Sequence, residues 1–315
     1  MYEPPFTISA KAFTDSMDVT RILTDCKQRP KCLNFKMNRE MNIRSIHSSL
    51  SIEGNMLSVE EISDVLNGKR VVGRERDILE VRNAWDCYSM LDDLNPYDLN
   101  DLLHVHGVLM KGLLKNAGNY RTCDVGVYDG EKAIHMGPPA QFVPGHMMNL
   151  FEWLSHTDIH PILASSIFHY EFESIHPFED GNGRTGRFWQ TLILCKWNDS
   201  FKNIPVETVI HRRRDEYYRS IEVSNIKGES GPFIDFMTSA LRESIMEWRN
   251  EDIDIRNMVL EDIADGSFTN AMEESEKAGV SKATMDRLIK KLKDEGRIER
   301  VGSNKTGRWV VVDKG

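Results

Sequence analysis

A chain of 315 residues, 40% of them hydrophobic, is long for one compact domain and comfortable for two, with ample material for a core. A formal net charge of −9 argues against a general nucleic-acid coat, though not against a local basic patch. Five cysteines (Cys26, Cys32, Cys87, Cys123, Cys195) form no CxxC pair, which argues against a disulfide framework or a zinc knuckle and points to a reducing compartment. The N-terminus has no basic-then-apolar leader, and no stretch reaches the roughly 18 apolar residues of a membrane span. The expectation is a cytoplasmic protein with no membrane partner.

Helix signals dominate the chain. Ser58 and Glu61 form a capping box opening a helix that stops near Gly68. From Arg74 to Leu94, Ile78, Val81, Ala84, Trp85, Tyr88 and Leu91 recur at helical spacing, and Asn95-Pro96 ends the run. Asp98 caps a further helix reaching about Leu114. Residues 117–137 change character: two short apolar stretches flank Asp129-Gly130, a hairpin-turn dipeptide, predicting a lone small hairpin. Gly137-Pro138-Pro139 breaks the chain, and helical patterns resume at about 140–156, 161–175, 184–197, 212–225 and 231–250. Asn250 to Asp254 is a charge-rich junction. Beyond it, a tight turn and capped helix over 279–292 precede two short strands, Arg297–Val301 and Arg308–Val312, joined by a tip from Gly302 to Gly307. The expected organisation is an N-terminal segment over 1–39, a helical domain over 40–252 and a small module over 253–315.

The segment from His176 to Arg187, His-Pro-Phe-Glu-Asp-Gly-Asn-Gly-Arg-Thr-Gly-Arg, carries the chemistry. Gly181-Asn182-Gly183 before a helix start lets backbone N–H groups converge without a Cβ in the way, and a helix start favours negative charge. Arg184 and Arg187, in the first turn, stand where the dipole disfavours cations; an anionic ligand accounts for that placement. Asp180 is a hard oxygen ligand of the kind that holds Mg²⁺ between one carboxylate and substrate phosphates. His176 can take a proton near neutral pH. Anion cradle, metal carboxylate and general base together describe phosphoryl or nucleotidyl transfer.

This segment resembles the signature of the Fic family at every defined position, and the helices over roughly 40–250, with the hairpin and His135-x-x-Pro138-Pro139, resemble that family's domain. The resemblance implies a mainly α fold, a Fic-type helical bundle with a β-hairpin flap. It implies a protein adenylyltransferase moving AMP from ATP, with Mg²⁺, to a Ser, Thr or Tyr hydroxyl. By position, His176 would deprotonate that hydroxyl and Asp180 would hold Mg²⁺. Gly181, Asn182, Gly183 and Arg184 would cradle the phosphates, Arg187 would bind the γ-phosphate, and Phe178 would anchor the loop in the core. Tyr218 and Asn225 resemble the family's nucleoside-contacting pair. The hairpin over 124–136 would dock the target protein by strand addition. Ser49-Leu-Ser-Ile-Glu53-Gly-Asn resembles the family's inhibitory pattern, within a helix near 43–55. It implies that Glu53 pairs with Arg187 and displaces the γ-phosphate.

Residues 253–315 resemble a winged helix-turn-helix. Residues 279–312 hold nine Lys/Arg against four Asp/Glu, and Arg297, Arg300, Lys305 and Arg308 lie on or beside the wing, where DNA phosphates are met. Protein docking is the competing use of such a module. Removal of AMP, another nucleotide donor, or a non-enzymatic nucleotide-sensing DNA regulator are the alternative functions. The target, its modified residue and assembly into a homo-oligomer are left open.

Overall fold

The computed structural model describes residues 2–27, 35–129, 132–278, 280, 282–302 and 307–312, and it is mainly helical. Helix α1 (Ala10–Lys27) was not expected from the sequence. Its buried stripe of Ala12, Asp15, Ser16, Val19, Ile22 and Leu23 follows helical spacing, but two polar members conceal the apolar period. Then come α2 (Phe35–Ile52), α3 (Val59–Leu66), α4 (Glu75–Ser89) and α5 (Leu99–Leu109). The capping box on α3 forms in both directions: Ser58 Oγ accepts from Glu61 N, and Glu61 Oε2 from Ser58 N. Helix α5 stops five residues short of Leu114, where buried Asn83 donates to the carbonyls of Leu109 (3.0 Å) and Lys111 (2.8 Å) and draws the chain out of the helix.

Strands β1 (Gly126–Asp129) and β2 (Lys132–Met136) pair antiparallel, Gly126 opposite Met136, with an irregularity between Val127 and Tyr128. Gly130, half of the expected turn dipeptide, lies outside the described residues. A short 3-10 turn leads into α6 (Val143–His156), followed by α7 (Pro161–Ile175) and α8 (Asn182–Trp197), which pack against each other. After a second 3-10 turn comes α9 (Val206–Arg212), a short helix not expected from the sequence, and then α10 (Arg214–Lys227), the helix expected at about 212–225. Helix α11 (Gly231–Asp265) runs unbroken through the charged junction at 250–254, which breaks no hydrogen-bonding pattern because Asn, Glu, Asp and Ile are all tolerated in a helix interior.

The chain divides into two compact units, one of Met1–Thr20 and Asn42–Ser244, the other of Arg21–Met41 and Ile245–Gly315. The first holds an apolar core that includes Phe168, Phe172, Phe178, Phe188 and Trp189. The second has its own core of Val259, Ile263, Met285, Leu288, Ile289, Leu292 and Ile298. There α12 (Ala271–Lys277) and α13 (Lys282–Asp294) precede strands β3 (Ile298–Val301) and β4 (Arg308–Val311), paired antiparallel. Lys305 and most of the expected wing tip lie outside the described residues. Among the described residues, no helix is long and apolar enough to cross a membrane.

Candidate active site

The loop between α7 and α8 turns on two left-handed residues. His176 ends α7 with φ 49° and ψ 62°, and it is the non-glycine residue with positive φ among those described. Gly181 precedes α8 with φ 84°. A Cβ at Gly181 would also stand 2.6 Å from Met110 Sδ, so backbone and space both demand glycine there. Between these residues, Asn182 braces the loop. Its Oδ1 accepts from Phe178 N and its Nδ2 donates to Phe178 O, both at 2.9 Å. Both ends of the Asn182 amide thus brace the loop itself. Phe178 is wholly buried and stacks on His106 at 3.6 Å with nearly parallel rings.

The start of α8 has no side-chain cap, so its first amides face the site. Arg184 is in the first turn as expected, whereas Arg187 falls in the second. The protein's own carboxylates compensate both. Arg184 Nη1 donates to Glu80 and Nη2 to Asp180, each at 3.0 Å. Arg187, almost fully buried, donates from Nε to Ser49 Oγ (3.1 Å) and from Nη2 to both Ser49 O (3.1 Å) and Glu53 Oε1 (2.7 Å). Its Nη1 is buried with no hydrogen-bond partner. Glu53 sits in the turn just after α2, where the amides of Glu53 and Asn55 both donate to Leu50 O.

Asp180 is half-exposed and accepts from three donors: the Gly181 amide (2.6 Å), Arg184 (3.0 Å) and Arg76 Nη2 (3.0 Å). Burial pushes its carboxyl up, but Arg184, the Gly181 amide and Arg76 outweigh that and hold it below the ordinary carboxylate range. Among the described residues no group of three or more His, Cys, Asp or Glu is placed to hold a metal by itself. A lone ionised carboxylate beside an uncapped helix start fits Mg²⁺, which keeps most of its ligands as water and substrate oxygens. It does not fit a self-contained protein cage.

Tyr218, on α10, is 42% exposed, lies under the Arg214 guanidinium and is close enough to Glu53 and Arg187 to be influenced by both. Burial first, then the Glu53 charge, pushes its phenol up. Asn225, nearly two turns further on, accepts from Tyr170 OH at 2.9 Å. The hairpin strands β1 and β2 precede the loop in the chain, and β2 comes against α10 in the fold.

Four residues absent from the sequence reading complete the arrangement. Arg76 bridges Glu80 and Asp180. Glu80 also accepts from Asn55 Nδ2, joining the segment after Glu53 to Arg184. His106 accepts from Gly118 N at Nδ1 and donates from Nε2 to Asp180 O (3.0 Å), a pairing that fixes the neutral imidazole. Arg121 donates to the carbonyl of His176. Nothing in local spacing marks these residues, because each acts on a partner distant in the chain.

A helical scaffold presenting this loop at a helix start, with a two-stranded hairpin beside it, defines a protein class, and the chain belongs to the Fic family. Residues 96–194 match the Fic/DOC family. A Fic family protein from Desulfovibrio desulfuricans G20 is 38% identical, with a TM-score of 0.76 over 100% of this chain and 99% of that one. The protein adenylyltransferase fic-1 of Caenorhabditis elegans is 29% identical over 225 residues, which are 68% of this chain and 42% of that protein. The protein adenylyltransferase Fic of Nematostella vectensis is 27% identical over 66% of this chain and 48% of its own length. The chain therefore spans less than half the length of these curated relatives.

Proposed function

We propose that the chain is a protein adenylyltransferase, transferring AMP from ATP to a Ser, Thr or Tyr hydroxyl of a target protein and held at rest by Glu53. The observation that carries this reading is the uncapped start of α8, where two buried arginines are neutralised by carboxylates occupying the space an anion would take. The relatives named adenylyltransferases support it.

In this reading, His176 takes the proton from the target hydroxyl, and the oxygen attacks the α-phosphorus of ATP. The bond from that phosphorus to the bridging oxygen breaks, and pyrophosphate leaves. The first amides of α8 and Arg184 hold the phosphates, and Arg187 takes the γ-phosphate once Glu53 withdraws. Asp180 would hold Mg²⁺, which when bound supplies charge neutralisation at the phosphates. Tyr218 and Asn225 would line the nucleoside side, and the β1–β2 hairpin would align the target segment by strand pairing. Intact-mass spectrometry after incubation with ATP and Mg²⁺ tests the proposal. The Glu53→Gly protein should gain AMP, and no adduct under any condition would overturn it.

The second unit supports a further role. Its two helices and β3–β4 hairpin expose Lys282, Lys290, Lys293, Arg297 and Arg300, which suits a winged helix meeting DNA phosphates. DNA affinity should then fall steeply with added salt, and no binding to duplex DNA at low salt would sink this part. Three free cysteines among the described residues, Cys87, Cys123 and Cys195, suit a cytoplasmic setting.

A further inference from the structure

Arg121 is 2% exposed, and the hydrogen bonds its guanidinium makes among the described residues all end on backbone carbonyls. Burying a cation is costly, and a hydrophobic side chain would fill the same space more cheaply. The position therefore asks for something only the guanidinium supplies, a flat fork of donors pointing several ways at once.

Those ways lead to two places. Nε donates to His176 O (2.8 Å), Nη2 reaches Ile175 O (3.4 Å), and the Arg121 backbone amide donates to Pro177 O (2.9 Å). Three successive carbonyls at the negative end of α7 are thus held by one residue. On the other side, Nη1 donates to Cys123 O (2.9 Å) and Nη2 to Pro138 O (2.5 Å). Cys123 and Pro138 lie in the two stems of the β1–β2 hairpin. The stems are themselves tied, since Gly137 N donates to Val125 O at 3.2 Å. Gly137 leaves the guanidinium its room: a Cβ there would stand 3.0 Å from Arg121 Nη2.

His176 is the residue that needs such support. A left-handed conformation is strained for a non-glycine residue and persists only where the surroundings over-determine it. The helix-end bond from His176 N to Phe172 O (2.9 Å) supplies one constraint, and Arg121 supplies another from the carbonyl side.

We infer that Arg121 is a positioning residue, fixing the left-handed backbone of His176 and tying it to both stems of the hairpin so that base and docking edge keep one spacing. The inference rests on the proposed transfer reaction for its functional meaning, but not for its geometry. Arg121 touches no reacting atom; its effect passes through His176.

The test uses the full chain carrying Glu53→Gly, with Arg121→Gln, Arg121→Lys and Gly137→Ala added singly. The imidazole signals of His176 are followed by carbon-13 NMR and assigned by their loss in His176→Ala. ATP affinity is measured by calorimetry and self-modification by mass. In Arg121→Gln the His176 signals should move, ATP affinity should stay within about twofold, and the transfer rate should fall about 10- to 100-fold, as a displacement on the order of 1 Å produces. Arg121→Lys, one point charge for four carbonyls, should fall between. Gly137→Ala keeps Arg121 but crowds it from the hairpin side, and should move the same signals in the same direction. Adding it to Arg121→Gln should change little more. Unmoved His176 signals in a folded Arg121→Gln protein, or in Gly137→Ala and Arg121→Lys should the first not fold, overturn the inference. Moved signals in a chain that transfers no AMP would uphold the clamp and overturn the reaction instead.

Discussion

Glu53 occupies the space above Gly183: a Cβ there would lie 2.5 Å from Glu53 Oε1 and 3.0 Å from Arg187 Nη1. The missing side chain lets a carboxylate reach a guanidinium buried at the start of α8. In the proposed reading a phosphate uses the same opening. One guanidinium cannot serve both anions in one geometry, and Glu53, already placed by the end of α2, pays no cost of diffusion. Glu53→Gly should therefore raise transfer, including onto the chain itself. Arg187→Ala should stay low, and the double variant should resemble Arg187→Ala, because removing the competitor does not restore the phosphate ligand. Gly183→Ala should dislodge Glu53 yet fail to activate, since its Cβ also crowds the phosphate. Equal adduct in wild type and Glu53→Gly would sink the brake while leaving the transferase assignment standing.

His176→Ala separates base from scaffold. The backbone of His176 is held through Phe172 O and Arg121 Nε, contacts that truncating the side chain leaves in place. The variant in a Glu53→Gly background should bind ATP with nearly unchanged affinity and lose about 10²- to 10⁴-fold in rate, the usual worth of a general base. Transfer at the parental rate would remove His176 from the mechanism.

The loop was legible because its constraints are local. Gly181 declares a positive φ, the two arginines sit at odds with the helix dipole, and all lie within a dozen residues. The Glu53–Arg187 pair spans 134 positions and was legible only through the resemblance of the Ser49-to-Asn55 pattern. Arg76, Glu80, His106 and Arg121 were invisible for a related reason. The contacts that join them to the loop span 55 to 104 positions, and two of these end on backbone carbonyls, which carry no sequence information. Helix α1 was missed because Asp15 and Ser16 interrupt its buried face.

Acid should loosen the loop through His106. Its Nδ1 accepts from Gly118 N and its Nε2 donates to Asp180 O, so a second proton has no place without breaking the first bond. Burial, the largest cause, pushes its pKa from 6.5 down to about 4. Between those values the unfolded chain binds a proton that the folded chain refuses, so stability is full above about pH 6.5 and is lost as pH falls toward 4. His106→Asn should be less stable at pH 7, yet its stability should fall less steeply over this window, by about 1.4 kcal/mol per pH unit at most for one proton. Urea titrations from pH 4 to 7 measure the slope, and equal slopes in the two proteins would reject the assignment.

Glu173 should report whether Glu53 is home. This carboxyl lies on α7 beneath α8, its Oε1 buried with no hydrogen-bond partner and 3.8 Å from His169 Nε2. Burial pushes its pKa up; the Arg187 charge opposes that, and the Glu53 charge adds to it, leaving a value of about 8 against an ordinary 4.5. At neutral pH it is thus mostly protonated while Glu53 is paired. Between 4.5 and 8 the folded chain holds a proton that the unfolded chain has lost, so stability is greatest below that window and declines as pH rises through it. Glu53→Gln removes the neighbouring negative charge but keeps the shape, and leaves Arg187 without an ionised partner. Glu173 should then ionise more readily and become the counter-charge for the buried guanidinium. Carbon-13 carboxyl titration, with the signal assigned by its loss in Glu173→Gln, should show a lower midpoint in Glu53→Gln than in wild type, and the decline in stability should end at a lower pH. An unchanged midpoint would mean that the two carboxyls do not sense each other through Arg187, and that release of Glu53 leaves the guanidinium to be matched by ligand alone.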